Sequence, residues 1–154
     1  MSATSVKQTV KLFVSYSNRE ATLADELLKE LEGHFAASGR FQLSLWMDRR
    51  NIELGKEWHP TILKARDECD YGLLLLSPAF FSSDYIREHE LPQFLSRDVV
   101  LPVVLRPWAE DADLRGLEKH HFFRHGGKAF SESRNKAGFV LALYEKITKR
   151  VGNS

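Results

Sequence analysis

Apolar and polar positions alternate in two rhythms along the chain. "TVKLFVSYS", from Thr9, reads as a short buried strand ending in small polar residues. The segment after it, "REATLADELLKELEGHFAAS", carries Leu23, Leu27, Leu28, Leu31 and Phe35 at helical spacing. "FQLSLWMD" puts Phe41, Leu43 and Leu45 on one face of a second strand, and a polar, glycine-containing loop leads to the helical "WHPTILKARDE". "YGLLLLSP" is a continuous apolar run of the kind covered on both faces. "PQFLSR" is helical, and "VVLPVVLRP" is a further apolar strand in which Pro102 marks an edge or an irregularity. "AEDADLRGLEKHHFF" reads as a loop with a short helix and a weak strand, and "SRNKAGFVLALYEKITKRV" as a final amphipathic helix.

Strands alternating with helices predict one α/β domain, a parallel sheet of five strands between two helical layers. Residues 1–8 form a polar N-terminal segment, 9–151 the domain and 152–154 a tail. Ligands of such folds sit at the carboxyl ends of the strands, near the switch in strand order. That rule selects residues 15–18, 48–58, 77–90 and 106–108 for inspection.

Charge narrows the partners. Lys and Arg number 22 against 21 Asp and Glu, a formal charge of +1, so no global field draws in nucleic acid or an anionic membrane. The longest strongly apolar run, 71–76, is far short of the ~20 residues of a membrane helix. The single cysteine, Cys69, cannot form an internal disulfide, and "MSATSVKQTV" lacks the pattern of a secretory signal, which together predict a cytoplasmic protein.

Several chemistries are disfavoured by their missing motifs. No GxGxxG follows the first strand and no GxxxxGK[ST] occurs, which argues against a dinucleotide-binding dehydrogenase or a P-loop NTPase. A phosphorylatable receiver domain needs acids after its first strand, where this chain has Ser15, Tyr16 and Ser17. His120, His121 and His125 match no closed zinc spacing and read as a solvated loop, so no metal site is expected. Ser15 and Ser77 lack the frame of a hydrolase nucleophile. Cys69 reads as a small core residue.

Four ordered segments, "LFVSYS", "LWMDRRNIELGKEWHPTILKA", "LLLLSPAFFSSDYIREHEL" and "VVLPVVLRP", resemble those of a bacterial-type Toll/interleukin-1 receptor (TIR) domain, from about Lys11 to Val151. The resemblance implies a single-domain, flavodoxin-like three-layer sandwich with a five-stranded parallel sheet. It also implies NAD⁺ as a substrate rather than a bound cofactor, cleaved at the nicotinamide–ribose bond by one glutamate placed after the third strand. The product is nicotinamide with ADP-ribose or a cyclic ADP-ribose, formed by an assembly and associated with antiphage defence. Residues 48–58 match the family's loop for self-association and for docking other TIR domains, with Asp48 and Gly55 at its usual aspartate and glycine. The alternative is a TIR adaptor or mimic that acts through such contacts and turns over nothing.

The resemblance aligns the functional acid with Glu90, followed by Leu91; helical geometry alone leaves Glu88 and Glu90 equivalent at the border of the apolar face. The family's aromatic four residues earlier falls on Ile86, and Tyr85 is the substitute for stacking on nicotinamide. Pro92 belongs in a first helical turn, which sets Glu90 at the N-terminus, where the dipole favours an ionised carboxylate at neutral pH. Nicotinamide is already a cationic leaving group, so one acid suffices where glycosidases use two. Asp48 and Arg49 are candidates for ribose or phosphate, Trp58 for stacking, and Ser15 and Ser77 for phosphate oxygens. Trp58 reads equally as a buried helix-start anchor, and Asp48 as a turn former.

Overall fold

The computed structural model describes residues 6–48 and 54–152. Strand β1 (Gln8–Ser15) leads through a 3₁₀ turn (Asn18–Glu20) into α1 (Ala21–Ala36), and β2 (Phe41–Trp46) precedes α2 (Trp58–Glu68). Strand β3 (Tyr71–Leu76) is followed by the short α3 (Pro78–Ser82), a π turn (Ile86–Glu90) and α4 (Leu91–Arg97). The chain closes with β4 (Val100–Val104), a 3₁₀ turn (Phe130–Glu132) and α5 (Lys136–Gly152).

All the strand pairs are parallel, in the order β2-β1-β3-β4. Side chains alternate between two cores, as the pleat requires. Val10, Leu12 and Val14 of β1 join Leu73 and Leu75 of β3 under α1 and α5. Phe13, Leu74 and Leu76 face the other way, against Ile62, Phe80 and Phe94. Every residue of β3 is buried, which explains its unbroken apolar run. Gly72 in that strand is required by packing, because a Cβ there would stand 2.8 Å from the Phe94 ring. Phe13 bridges this layer, 5.3 Å from Phe94 and stacked on Trp46 at 5.0 Å. Cys69 lies buried in the same core, its Sγ donating to the Arg66 carbonyl at 3.1 Å, and burial is the main cause that pushes the thiol's pKa up.

The described sheet has four strands where five were expected. In the fifth position stands a single bridge, with the Phe123 N–H donating to the Pro102 carbonyl at 2.8 Å and the Val104 N–H to the Phe123 carbonyl at 3.0 Å. The pairing stops because the chain reverses at once: Gly126 and Gly127 take φ of 60° and 74°, and His125 pairs antiparallel with Lys128. Pro102 sits at the edge of the four strands, and its missing N–H lies on the side of its carbonyl, away from β3.

Strand order reverses at β1, which has β2 on one side and β3 on the other. The carboxyl ends of β1 and β3 therefore flank the topological switch point, where open α/β sheets leave a crevice.

Candidate functional site

At that crevice lies a cleft of about 610 Å³, within the range of small-molecule sites (about 300–1,000 Å³). The end of β1 supplies Tyr16 and the turn after it Arg19; the end of β2 supplies Asp48, and the start of α2 Trp58. The segment after β3 supplies Tyr85 and Glu90.

Glu90 reaches the cleft through an irregular helix. After Ser83, whose Oγ accepts from the Ile86 N–H at 3.3 Å, the chain re-enters helix. Pro92 carries no N–H, and just before it the ladder widens so that the Leu91 N–H donates to the Ile86 carbonyl five residues back. The π turn ends on Glu90, only 7% exposed, and Glu88 stays at the surface beside Arg87 at 3.2 Å. As expected, Glu90 stands just before the N-terminus of α4, which begins at Leu91 with Pro92 in its first turn, and the π turn runs straight into that helix.

The expected full ionisation of Glu90 at neutral pH is corrected. Its Oε1 accepts from the Ser15 hydroxyl at 2.6 Å. Burial raises its pKa from 4.5 to about 7; the Ser15 bond pulls the other way, the Asp48 charge adds to the rise and the Arg66 charge opposes it. At neutral pH the group is shared between its two protonation states.

The remaining expectations divide. Asp48 lines the cleft with Oδ1 accepting from the Tyr16 hydroxyl at 2.8 Å. Trp58 is 57% exposed, so it begins α2 from the cleft rim and is not a buried anchor. Tyr85 lies 5.4 Å from Trp58 and 4.8 Å from His89, and its hydroxyl meets His59 Nδ1 at 2.8 Å. Burial, then the Glu90 charge, raises the Tyr85 pKa, so the phenol stays protonated at neutral pH. Ser15 is 1% exposed and spends its one donor on Glu90, so it is not a phosphate ligand. Ser77 is fully buried, does not line the cleft, and caps α3 by accepting from the Phe80 N–H at 3.1 Å. Arg49 lies outside the described residues.

Tyr16, Arg19, His59, Arg66 and His89 were not singled out in the sequence. Tyr16 lay within the first strand-end loop, but nothing local shows that it lines the cleft, and His59 adjoins Trp58, but nothing local shows that it packs against Tyr85. Arg66 donates to the His89 carbonyl at 2.7 Å, which ties α2 to the π turn next to Glu90. In the histidine loop His121 and His125 are exposed as expected, and His120 is the exception. His120 turns inward, its Nδ1 buried without a hydrogen-bond partner and its Nε2 3.6 Å from Asp98. With His121 it lines a separate hollow of about 250 Å³ between β4 and α5.

A family model described as a TIR domain matches residues 12–137, and the chain belongs to that family. Over 100 residues it is 32% identical to the uncharacterized protein y4lF of Sinorhizobium fredii. That alignment covers 62% of this chain and 30% of the relative, so the chain spans less than a third of that protein's length. Among the described residues, no helix is long and apolar enough to cross a membrane.

Proposed function

We propose that this TIR domain is an NAD⁺ glycohydrolase of the cytoplasm that cleaves the nicotinamide–ribose bond and releases nicotinamide with ADP-ribose or its cyclic form. The observation that carries the reading is a buried carboxylate, Glu90, that lines a cleft at the switch point with aromatic rings at its rim. Membership of a family that includes NAD⁺-cleaving enzymes supports it.

Nicotinamide leaves NAD⁺ as a neutral base, so the bond breaks without protonation and positive charge grows on the ribose ring. An ionised Glu90 in the cleft stabilises that charge and accepts from a ribose hydroxyl, and each ~1.4 kcal/mol of such stabilisation is worth about tenfold in rate. Trp58 and Tyr85 supply faces for the departing ring. Arg19, the only cation lining the cleft among the described residues, is available to the pyrophosphate. Water, or a ring atom of the adenine, completes the reaction at the anomeric carbon and decides between linear and cyclic product.

A second reading, docking onto other TIR domains without turnover, is favoured by the loop before α2, where Leu54 is fully exposed beside Gly55 at φ 86°. The two are compatible if activity needs neighbouring copies. Nicotinamide release from NAD⁺, followed across protein concentration with the products separated, tests the proposal. Release that climbs faster than protein concentration is the expected result. Concentrated, folded protein that leaves NAD⁺ intact overturns the enzymatic reading in favour of the docking one.

A further inference from the structure

We propose that Ser15 is a positioning residue for Glu90: its hydroxyl, held at the end of β1, aims the carboxylate into the cleft and favours the ionised form against burial and the neighbouring Asp48. The catalytic meaning of this role rests on the NAD⁺-cleaving reading above; the coupling between the two side chains does not.

The hydroxyl and carboxylate oxygens stand 2.6 Å apart, a short contact of the kind a charged acceptor makes. The pair spans 75 positions of sequence and is buried at both ends, with Ser15 1% and Glu90 7% exposed. Ser15 cannot drift, because β1 pairs there with β3 at Leu74. The bond takes Oε1 and leaves Oε2 without a hydrogen bond among the described residues, at the cleft that Glu90 lines. One oxygen is anchored and the other is free for substrate.

Three side chains act on Glu90. Ser15 comes from β1, Asp48 from the end of β2 and Arg66 from α2, and Glu90 in turn acts on Tyr85 in the turn before it. Arg19 lines the same cleft, and His59 and His89 bracket Tyr85. Asp48 is itself fixed by the residue after Ser15, since the Tyr16 hydroxyl donates to it at 2.8 Å. Consecutive residues at one strand end thus hold the two acids of the cleft, Glu90 and Asp48. The hydroxyl stabilises the anion, and the Asp48 charge favours the proton.

The experiment is a ¹³C titration of the carboxyl signals in protein labelled at its glutamates, with Glu90 assigned by the signal missing from Glu90→Gln. The wild-type midpoint is expected near 7. Ser15→Ala should raise it by about one pH unit, the scale of a hydrogen bond to a buried charge, and Asp48→Asn should lower it. Should Ser15→Ala not fold, Ser15→Cys, similar in size and a weaker donor, is read in the same direction. A midpoint unchanged or lowered by loss of the hydroxyl overturns the proposal. In parallel, the acidic limb of kcat/KM should move with the midpoint, a roughly tenfold loss one unit below it. A limb that stays while the carboxyl moves overturns the catalytic role. Wild type without any turnover removes the enzymatic reading, and the titration still decides whether Ser15 sets the state of Glu90.

Discussion

Replacing Glu90 by glutamine should stabilise the domain, and more so as the pH rises. Glu90 has a pKa raised from 4.5 to about 7 in the folded protein. Between those values the folded state binds more protons than the unfolded one, so this group's contribution to stability falls as pH increases through that window. Above pH 7 the loss is complete. A shift of two to three units corresponds to about 3 kcal/mol, and Glu90 is buried deeply enough that solvent screening takes little from it. Glutamine keeps the shape and an acceptor for Ser15 without the charge. The advantage of Glu90→Gln over wild type should therefore be larger at about pH 8 than at about pH 5 by ~2–3 kcal/mol, or ~5–10 °C in Tm for a domain of this size. Urea unfolding followed by tryptophan fluorescence at both pH values measures this, and groups that titrate identically in the two proteins cancel. Equal differences at both pH values would refute the claim that the folded state holds Glu90 against its charge.

Two further substitutions test the surroundings. Ser77→Ala removes the cap of α3 and should cost about 1 kcal/mol in denaturant unfolding while leaving NAD⁺ turnover unchanged; a turnover loss at wild-type stability would return Ser77 to the substrate site. Gly72→Ala pushes a methyl group into the Phe94 ring and should destabilise by about 1–3 kcal/mol, whereas an unchanged unfolding midpoint would mean that α4 can move off the sheet without cost.

The sequence pattern was most legible where one rhythm governs an element. The six apolar or small residues of β3 could only be a strand buried on both faces, and "WHPTILKARDE" coincides with α2 residue for residue. It was least legible where long-range geometry decides. Whether Glu88 or Glu90 turns inward depends on the π turn ahead of Pro92, a distortion that no helical periodicity contains. The charge state of Glu90 was misjudged because a helix-start argument uses only neighbours in sequence. Burial by the whole fold and the Asp48 charge from the end of β2 favour the proton, and the Ser15 hydroxyl from β1 offsets them only in part. Ser15 and Ser77 show the same limit from the other side. Both were chosen as polar residues at strand ends, and both turned inward, one to an acid and one to a helix N–H. The fifth strand failed at Gly126 and Gly127, whose positive φ ends the extension that the apolar Phe122 and Phe123 suggest.

The central claim is that Glu90 in the switch-point cleft cleaves NAD⁺, and nicotinamide release by concentrated wild type and by Glu90→Gln tests it most directly. The account predicts release by wild type and a loss of at least ~10³-fold in a Glu90→Gln variant that remains folded, about 4 kcal/mol of transition-state stabilisation. Wild-type rates in that variant would contradict it and place the chemistry, if any, elsewhere on the domain.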